Sequence, residues 1–134
     1  MATGTAGSTA RDYSKQLNHY LRKGIVFGDN GSTLDVGVVP IGAVVVEAMV
    51  VVSTAFNGNA TNTCDIGTAA DTDGFATILA LGTIGRILAD EMATSNDLGP
   101  YTADTTIQCV VTSTAAATAG AGEVIVVYVL DNDR

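Results

Sequence analysis

The chain has 134 residues, 47% of them hydrophobic and 15% charged, with 14 Asp and Glu against 6 Lys and Arg for a formal charge of -8. This is the length of one compact domain with ample apolar material for a core, which excludes a natively unfolded protein. The absence of Trp, 5% aromatics and 15 Gly among many Ala, Val and Thr exclude an ordinary helical bundle, and the acidic balance disfavours unaided binding of nucleic acid phosphates.

The charge is divided along the chain. Residues 1–23 hold Arg11, Lys15, Arg22 and Lys23 against Asp12, a balance of +3, whereas residues 24–134 hold Arg86 and Arg134 against 13 acids, a balance of -11. We therefore read a basic arm with a short amphipathic helix over 1–23, joined to an acidic β-sandwich domain over 24–134. The first ten residues, MATGTAGSTA, have no basic start leading into an apolar stretch and are not a secretory signal. Such a low-complexity segment buries almost nothing and reads as an arm. From Asp12 to Lys23, Tyr13, Leu17, Tyr20 and Leu21 fall at i, i+4, i+7 and i+8, with Asp12 as a start cap, Arg22 and Lys23 suited to the C-terminal dipole and Gly24 as a stop. The spacing predicts a helix, packed on its own domain or docking on a neighbouring subunit.

Beyond Gly24 the period becomes two. Leu34, Val36 and Val38 share a face opposite Asp35 and Gly37, so Thr33 to Val39 reads as a half-buried strand, broken by Pro40-Ile41-Gly42. Ala43 to Thr54 is dense in Val on both faces, as in a long central strand covered on both sides or lying in a subunit contact. Its apolar run is interrupted by Glu47 and is far shorter than the roughly 20 residues of a membrane-spanning helix, so a soluble protein without membrane association is expected. Asn57-Gly58-Asn59 marks a turn. Strands follow at Asn62 to Ile66, Phe75 to Ala80 and Gly85 to Ala89, with helix as an alternative for Ile84 to Ala93. Thr105, Ile107, Cys109 and Val111 alternate against Thr106 and Gln108. Glu123 to Leu130 is apolar on both faces, and Thr118 to Gly122 reads as the hairpin connection between these last two strands. About eight strands with regular turn signals predict an all-β, antiparallel, jelly-roll-like sandwich.

Chemistry-bearing constellations are sparse. His19 is the sole histidine and sits in the basic arm as an exposed helix position, so neither a Ser-His-Asp nor a Cys-His arrangement is expected. Cys64 and Cys109 lie in strand-like segments without CxxC spacing and read as buried reduced thiols. Asp65, Asp71 and Asp73 are weak metal candidates: Asp71-Thr72-Asp73-Gly74 opens like a calcium loop but lacks the later ligands, and an Asx turn explains it better. No glycine cluster has the strand-to-helix context of a phosphate loop. No enzyme activity and no cofactor are expected, and the basic arm fits an acidic protein surface better than nucleic acid.

The stretch Val39-Pro40-Ile41-Gly42-Ala43 through Val52, then Thr54-Ala55-Phe56-Asn57-Gly58, Asp65-Ile66-Gly67-Thr68 and Asp71-Thr72-Asp73-Gly74-Phe75, resembles small structural proteins of tailed bacteriophages. Thr118-Ala119-Gly120-Ala121-Gly122 leading into Glu123-Val124-Ile125-Val126-Val127-Tyr128 is similar too, so the resemblance covers roughly residues 35–130. It implies a capsid cement or decoration protein: a jelly-roll-like oligomer, made in the host cytoplasm, that sits on the outside of the phage head and bridges major capsid subunits. The family has no catalytic residues to carry over, and its N-terminal regions vary. On this reading Arg11, Tyr13, Lys15, Leu17, Tyr20, Leu21, Arg22 and Lys23 form a capsid-binding arm. Val45, Met49 and Val51 form the contact of a homodimer or homotrimer. A tail or head-fibre component, and a carbohydrate- or calcium-binding sandwich module, are the alternatives.

Overall fold

A computed structural model describes residues 18–130. Among them eight strands run in chain order: β1 (His19–Val26), β2 (Thr33–Val39), β3 (Val44–Thr54), β4 (Asn62–Thr68), β5 (Ala76–Ala80), β6 (Gly85–Leu88), β7 (Thr105–Ser113) and β8 (Ala121–Val129). A single 3-10 turn, Phe27–Asp29, follows β1. The strands form two four-stranded antiparallel sheets, ordered β1-β8-β3-β6 and β2-β7-β4-β5. The first and eighth, second and seventh, third and sixth, and fourth and fifth strands all pair, so the chain is one long hairpin rolled into a sandwich, the jelly-roll order expected from the sequence.

The core lies between the sheets. Ile25, Val50, Val52, Val124 and Val126 from the first sheet face Val39, Ile66, Ile107 and Val111 from the second, and Phe75 and Leu81, on either side of β5, are fully buried with them. Full burial of each such side chain is worth about 1.5–3 kcal/mol. Gly42, at φ +84°, makes the β2–β3 turn, where Ala43 N–H donates to the Pro40 carbonyl at 3.1 Å. Both cysteines are free and buried on the inner face of the second sheet. Cys64 is held strongly protonated by its hydrogen bond with Cys109 and by burial.

Three expectations are corrected. First, the helix predicted over Asp12 to Lys23 is not formed where the structure describes it: His19–Val26 is a strand paired with β8 over eight register positions. Leu21, Lys23 and Ile25 alternate inward, and the free edge of β8 supplies backbone partners that a short isolated helix lacks. The segment read as part of the arm therefore belongs to the sheet from His19 onward, and residues 12–17 lie outside the described region. Second, β7 and β8 are not a hairpin, because β7 pairs with β2 and β4 while β8 pairs with β1 and β3. The link between them crosses from one sheet to the other. Third, Val45 is not on an outer face. A bulge between Val45 and Glu47 inserts one residue, so Val45 and Ala48 both point inward and Val45 is 1% exposed. The helix alternative at Ile84 to Ala93 also gives way to β6, whose four residues pair with β3.

Candidate interaction surfaces

The outer faces of the two sheets both mix polar and apolar side chains, in different proportions. On the second sheet, register places Thr33, Val110 and Asp65 in one row, Asp35, Gln108 and Gly67 in the next, and Thr112 beside Thr63. The Gln108 amide donates to Asp35 Oδ1 at 2.8 Å. Hydroxyl-bearing side chains predominate on this exterior, which also exposes Val38, opposite Thr106, and Ile78 on β5.

The outer face of the first sheet sets apolar side chains among paired charges. Arg22, Ile125, Met49 and Leu88 form one row across all four strands. Tyr20, Val127 and Glu47 lie in the row above, and Gly24, Glu123, Val51 and Arg86 in the row below. Tyr20 is 61% exposed and Leu88 48%, while Ile125, Val127, Met49 and Val51 are half-buried. Arg22 Nε donates to Glu123 Oε1 at 2.9 Å, and Nη2 bonds the same oxygen. That pair is exposed to solvent and contributes little to stability.

The sequence-assigned contact residues thus separate. Met49 and Val51 sit at the centre of this face, whereas Val45 is in the core. Of the arm, Tyr20 and Arg22 point out on the same face and Leu21 packs inward on Gly37, where an added Cβ would lie 2.8 Å from the Leu21 side chain. Lys23 shares the inward row with Val124. Arg11, Tyr13, Lys15 and Leu17 lie outside the described residues. Sequence reading missed Ile125, Val127 and Leu88 as surface partners of Met49. The two-sided apolar pattern of Glu123 to Leu130 was the available signal.

His19, expected as an exposed helical position, instead stacks on Tyr128 with ring centroids 5.5 Å apart. Its Nε2 is enclosed without a hydrogen-bond partner among the described residues.

Asp65, Asp71 and Asp73 do not converge. Asp65 on β4 accepts the Ile78 backbone N–H at 2.6 Å, which holds this exposed isoleucine at φ +51°, a conformation costly for a β-branched residue. Asp71 and Asp73 line a cavity of about 330 Å³ with Glu91, Asp97 and the Thr94–Asn96 segment. Glu91 is engaged by the Thr77 hydroxyl at 2.8 Å. The hydrogen bond that a protonated Asp73 donates to the neighbouring Asp71 carboxylate, with smaller contributions from burial and from the charge of Asp71, raises the Asp73 pKa above its usual value. Among the described residues no group of three or more His, Cys, Asp or Glu is placed to hold a metal ion. No helix there is long and apolar enough to cross a membrane.

No family model and no curated protein sequence matches the chain. Solved structures do. A chain of the cyanophage Pam1 capsid asymmetric unit superposes with TM-score 0.68 at 20% identity, covering 98% of this chain and 96% of that one. A chain of the acid-stable capsid of Helicobacter pylori bacteriophage KHP30 gives TM-score 0.64 at 17% identity, covering 87% and 90%. A chain of the capsid of Ralstonia phage GP4 gives TM-score 0.64 at 20% identity, covering 92% and 90%. This protein therefore shares, over nearly its whole length, a jelly-roll fold found in three phage capsid structures.

Proposed function

We propose that this chain is a virion structural protein of a tailed phage: a non-enzymatic cement or decoration protein that binds the outer surface of the head and stabilises contacts between major capsid subunits. The observation that carries the reading is the likeness to a chain of a phage capsid, which covers 98% of this chain and 96% of that one. The surfaces support it, since the outer face of the first sheet sets Tyr20, Met49, Leu88, Ile125 and Val127 among two Arg and two Glu, and the other described ionic side chains are nearly all acidic.

Its work is mechanical. Oligomers laid across capsomer junctions add contact area at each boundary, and many copies sum modest binding energies into resistance to internal pressure. Residues Arg11, Tyr13, Lys15 and Leu17, just ahead of the β1 edge strand, are the proposed capsid-binding arm, with the cations meeting acidic capsid groups and the apolar side chains anchoring them.

Quantitative mass spectrometry of purified particles tests this. A copy number near one per major capsid subunit, or a simple fraction of it, with the chain accessible to protease on intact heads, is the expected result. A few copies per particle would transfer the chain to the tail or a head fibre, and absence from particles would overturn the virion reading.

A further inference from the structure

We propose that Cys64 and Cys109 form an oxidative modification site, a dithiol that hydrogen peroxide converts into a disulfide joining β4 to β7. The site belongs to the chain's own core and stands apart from the cement reading.

Strand register brings the two sulfurs together. Cys64 lies opposite Val111 and Cys109 opposite Ile66, so the cysteines sit one diagonal step apart on the inner face of two neighbouring strands, the central pair of their sheet. Their thiols touch: the Cys64 S–H donates a hydrogen bond to the Cys109 sulfur, with the Asp65 carbonyl, 3.6 Å from Cys64 Sγ, as a second acceptor. A disulfide is shorter than a thiol hydrogen bond, so closing it draws β4 and β7 slightly together.

The contact also divides the roles. The donated hydrogen bond favours the ionised form of Cys109, the charge of Lys23 adds to this, and burial opposes it. Cys109 is therefore the attacking sulfur, and the protonated Cys64 the resolving one. The Cys109 thiolate attacks one peroxide oxygen and the O–O bond breaks, leaving a sulfenic acid and a hydroxide that takes up the Cys109 proton as water. The Cys64 sulfur then attacks the sulfenic sulfur, the S–O bond breaks, and the hydroxyl departs with the Cys64 proton as a second water. Two thiols and one peroxide yield one disulfide and two waters, with two electrons passing from sulfur to oxygen.

The surroundings decide where oxidation stops. Leu34 and Ile66 flank Cys109 across the sheet, Leu79 and Val111 flank Cys64, and both cysteines are 0% exposed. A sulfinate here would be an unpaired charge in an apolar core, which is costly. The disulfide is neutral and has two hydrogens fewer than the thiols it replaces. Hydrogen peroxide is little larger than water, so a small local opening of the sandwich admits it.

The test treats the folded full chain with excess hydrogen peroxide, destroys the peroxide with catalase, unfolds the protein in iodoacetamide and maps its peptides by mass spectrometry. Trypsin cuts after Lys23 and Arg86, which places Cys64 in peptide 24–86 and Cys109 in peptide 87–134. The two peptides should be joined within a chain of monomer mass, about 2 Da below their sum, unalkylated and separable by a thiol reductant. The cross-linked chain should also unfold at higher urea than the reduced one. Cys64→Ala removes the resolving sulfur, so Cys109 should be held as a sulfenic acid or carried on to a sulfinic acid, about 16 or 32 Da heavier. Two alkylated cysteines in the peroxide-treated wild type overturn the proposal, as does a sulfinic acid there without joined peptides. A cross-link that forms only in urea, or only between two chains, overturns it too, because the native register would then play no part. A folded Cys64→Ala chain whose Cys109 stays a thiol overturns the role given to Cys109.

Discussion

Cutting the chain at two nearby points separates arm from fold. A chain starting at Asn18 keeps all eight described strands, whereas a chain starting at Gly24 loses His19 to Lys23, five of the eight β1 residues. Those five residues pair with Val124 to Tyr128 of β8. About five ladder hydrogen bonds at a net ~1 kcal/mol each, plus ~1 kcal/mol for half-buried Leu21, are lost, and the freed backbone entropy returns part of it. The deficit should be about 3–6 kcal/mol, a large share of the ~5–15 kcal/mol that holds a domain together. It also bares the β8 edge, an aggregation hazard. Urea denaturation followed by circular dichroism checks this. The shorter truncation should keep the wild-type midpoint, while the longer one should unfold at much lower urea or fail to stay soluble. Equal midpoints for both truncations would refute the assignment of residues 19–23 to the sheet. Particle binding by the Asn18 chain then isolates the arm: it should fold normally yet bind heads poorly.

Other perturbations read out single devices. Asn57 Oδ1 accepts the backbone N–H groups of Thr118 and Ala119 at 2.9 and 3.0 Å, tying the β3–β4 turn to the β7–β8 crossing; Asn57→Ala should cost about 1–3 kcal/mol in urea denaturation. A Cβ at Gly67 would lie 2.1 Å from the Asp71 carbonyl oxygen, so Gly67→Ala should displace the β4–β5 loop and lower the thermal midpoint sharply, whereas Gly82→Ala, with open space around it, should not. The raised Asp73 carboxyl favours protonation in the folded state, so its contribution is present below the ordinary carboxylate pKa and is lost as pH rises through the raised value. Asp73→Asn should therefore be the more stable form at pH 7, with the gap closing in acid. Burial, reinforced by the charge of Asp97, pushes the Tyr101 phenol up to about 12, and its hydroxyl donates to the Asp97 carbonyl at 2.5 Å. Stability present below pH 10 should be lost as pH climbs toward 12, and Tyr101→Phe should flatten that alkaline loss in denaturation midpoints.

The strand positions were largely legible because alternation is a local signal. Thr33 to Val39 matched β2 at both ends, and Ala43 to Thr54 anticipated β3 to within one residue. The pattern failed where two periods fit the same letters. Tyr20 and Leu21 suit a helical stripe, while Leu21 and Ile25 suit an inward strand face interrupted by Lys23, and only the unfilled edge of β8 chooses between them. Val45 was misplaced for a related reason. A single inserted residue flips the side-chain phase, and no run of Val betrays where the bulge lies.

Legible in the letters alone is a small acidic all-β domain, rich in turns, poor in catalytic groups, with its cations gathered toward one end. These follow from composition and short-range periodicity, which need no knowledge of what lies across the core. Only the tertiary structure decided that the last two strands part company into different sheets, that His19 to Lys23 completes one of them, and that the apolar positions of β1, β3, β6 and β8 coincide on one face. Strand pairing joins residues about a hundred positions apart, such as Arg22 and Ile125, and such partnerships are set by global closure of the sandwich rather than by any local run of letters.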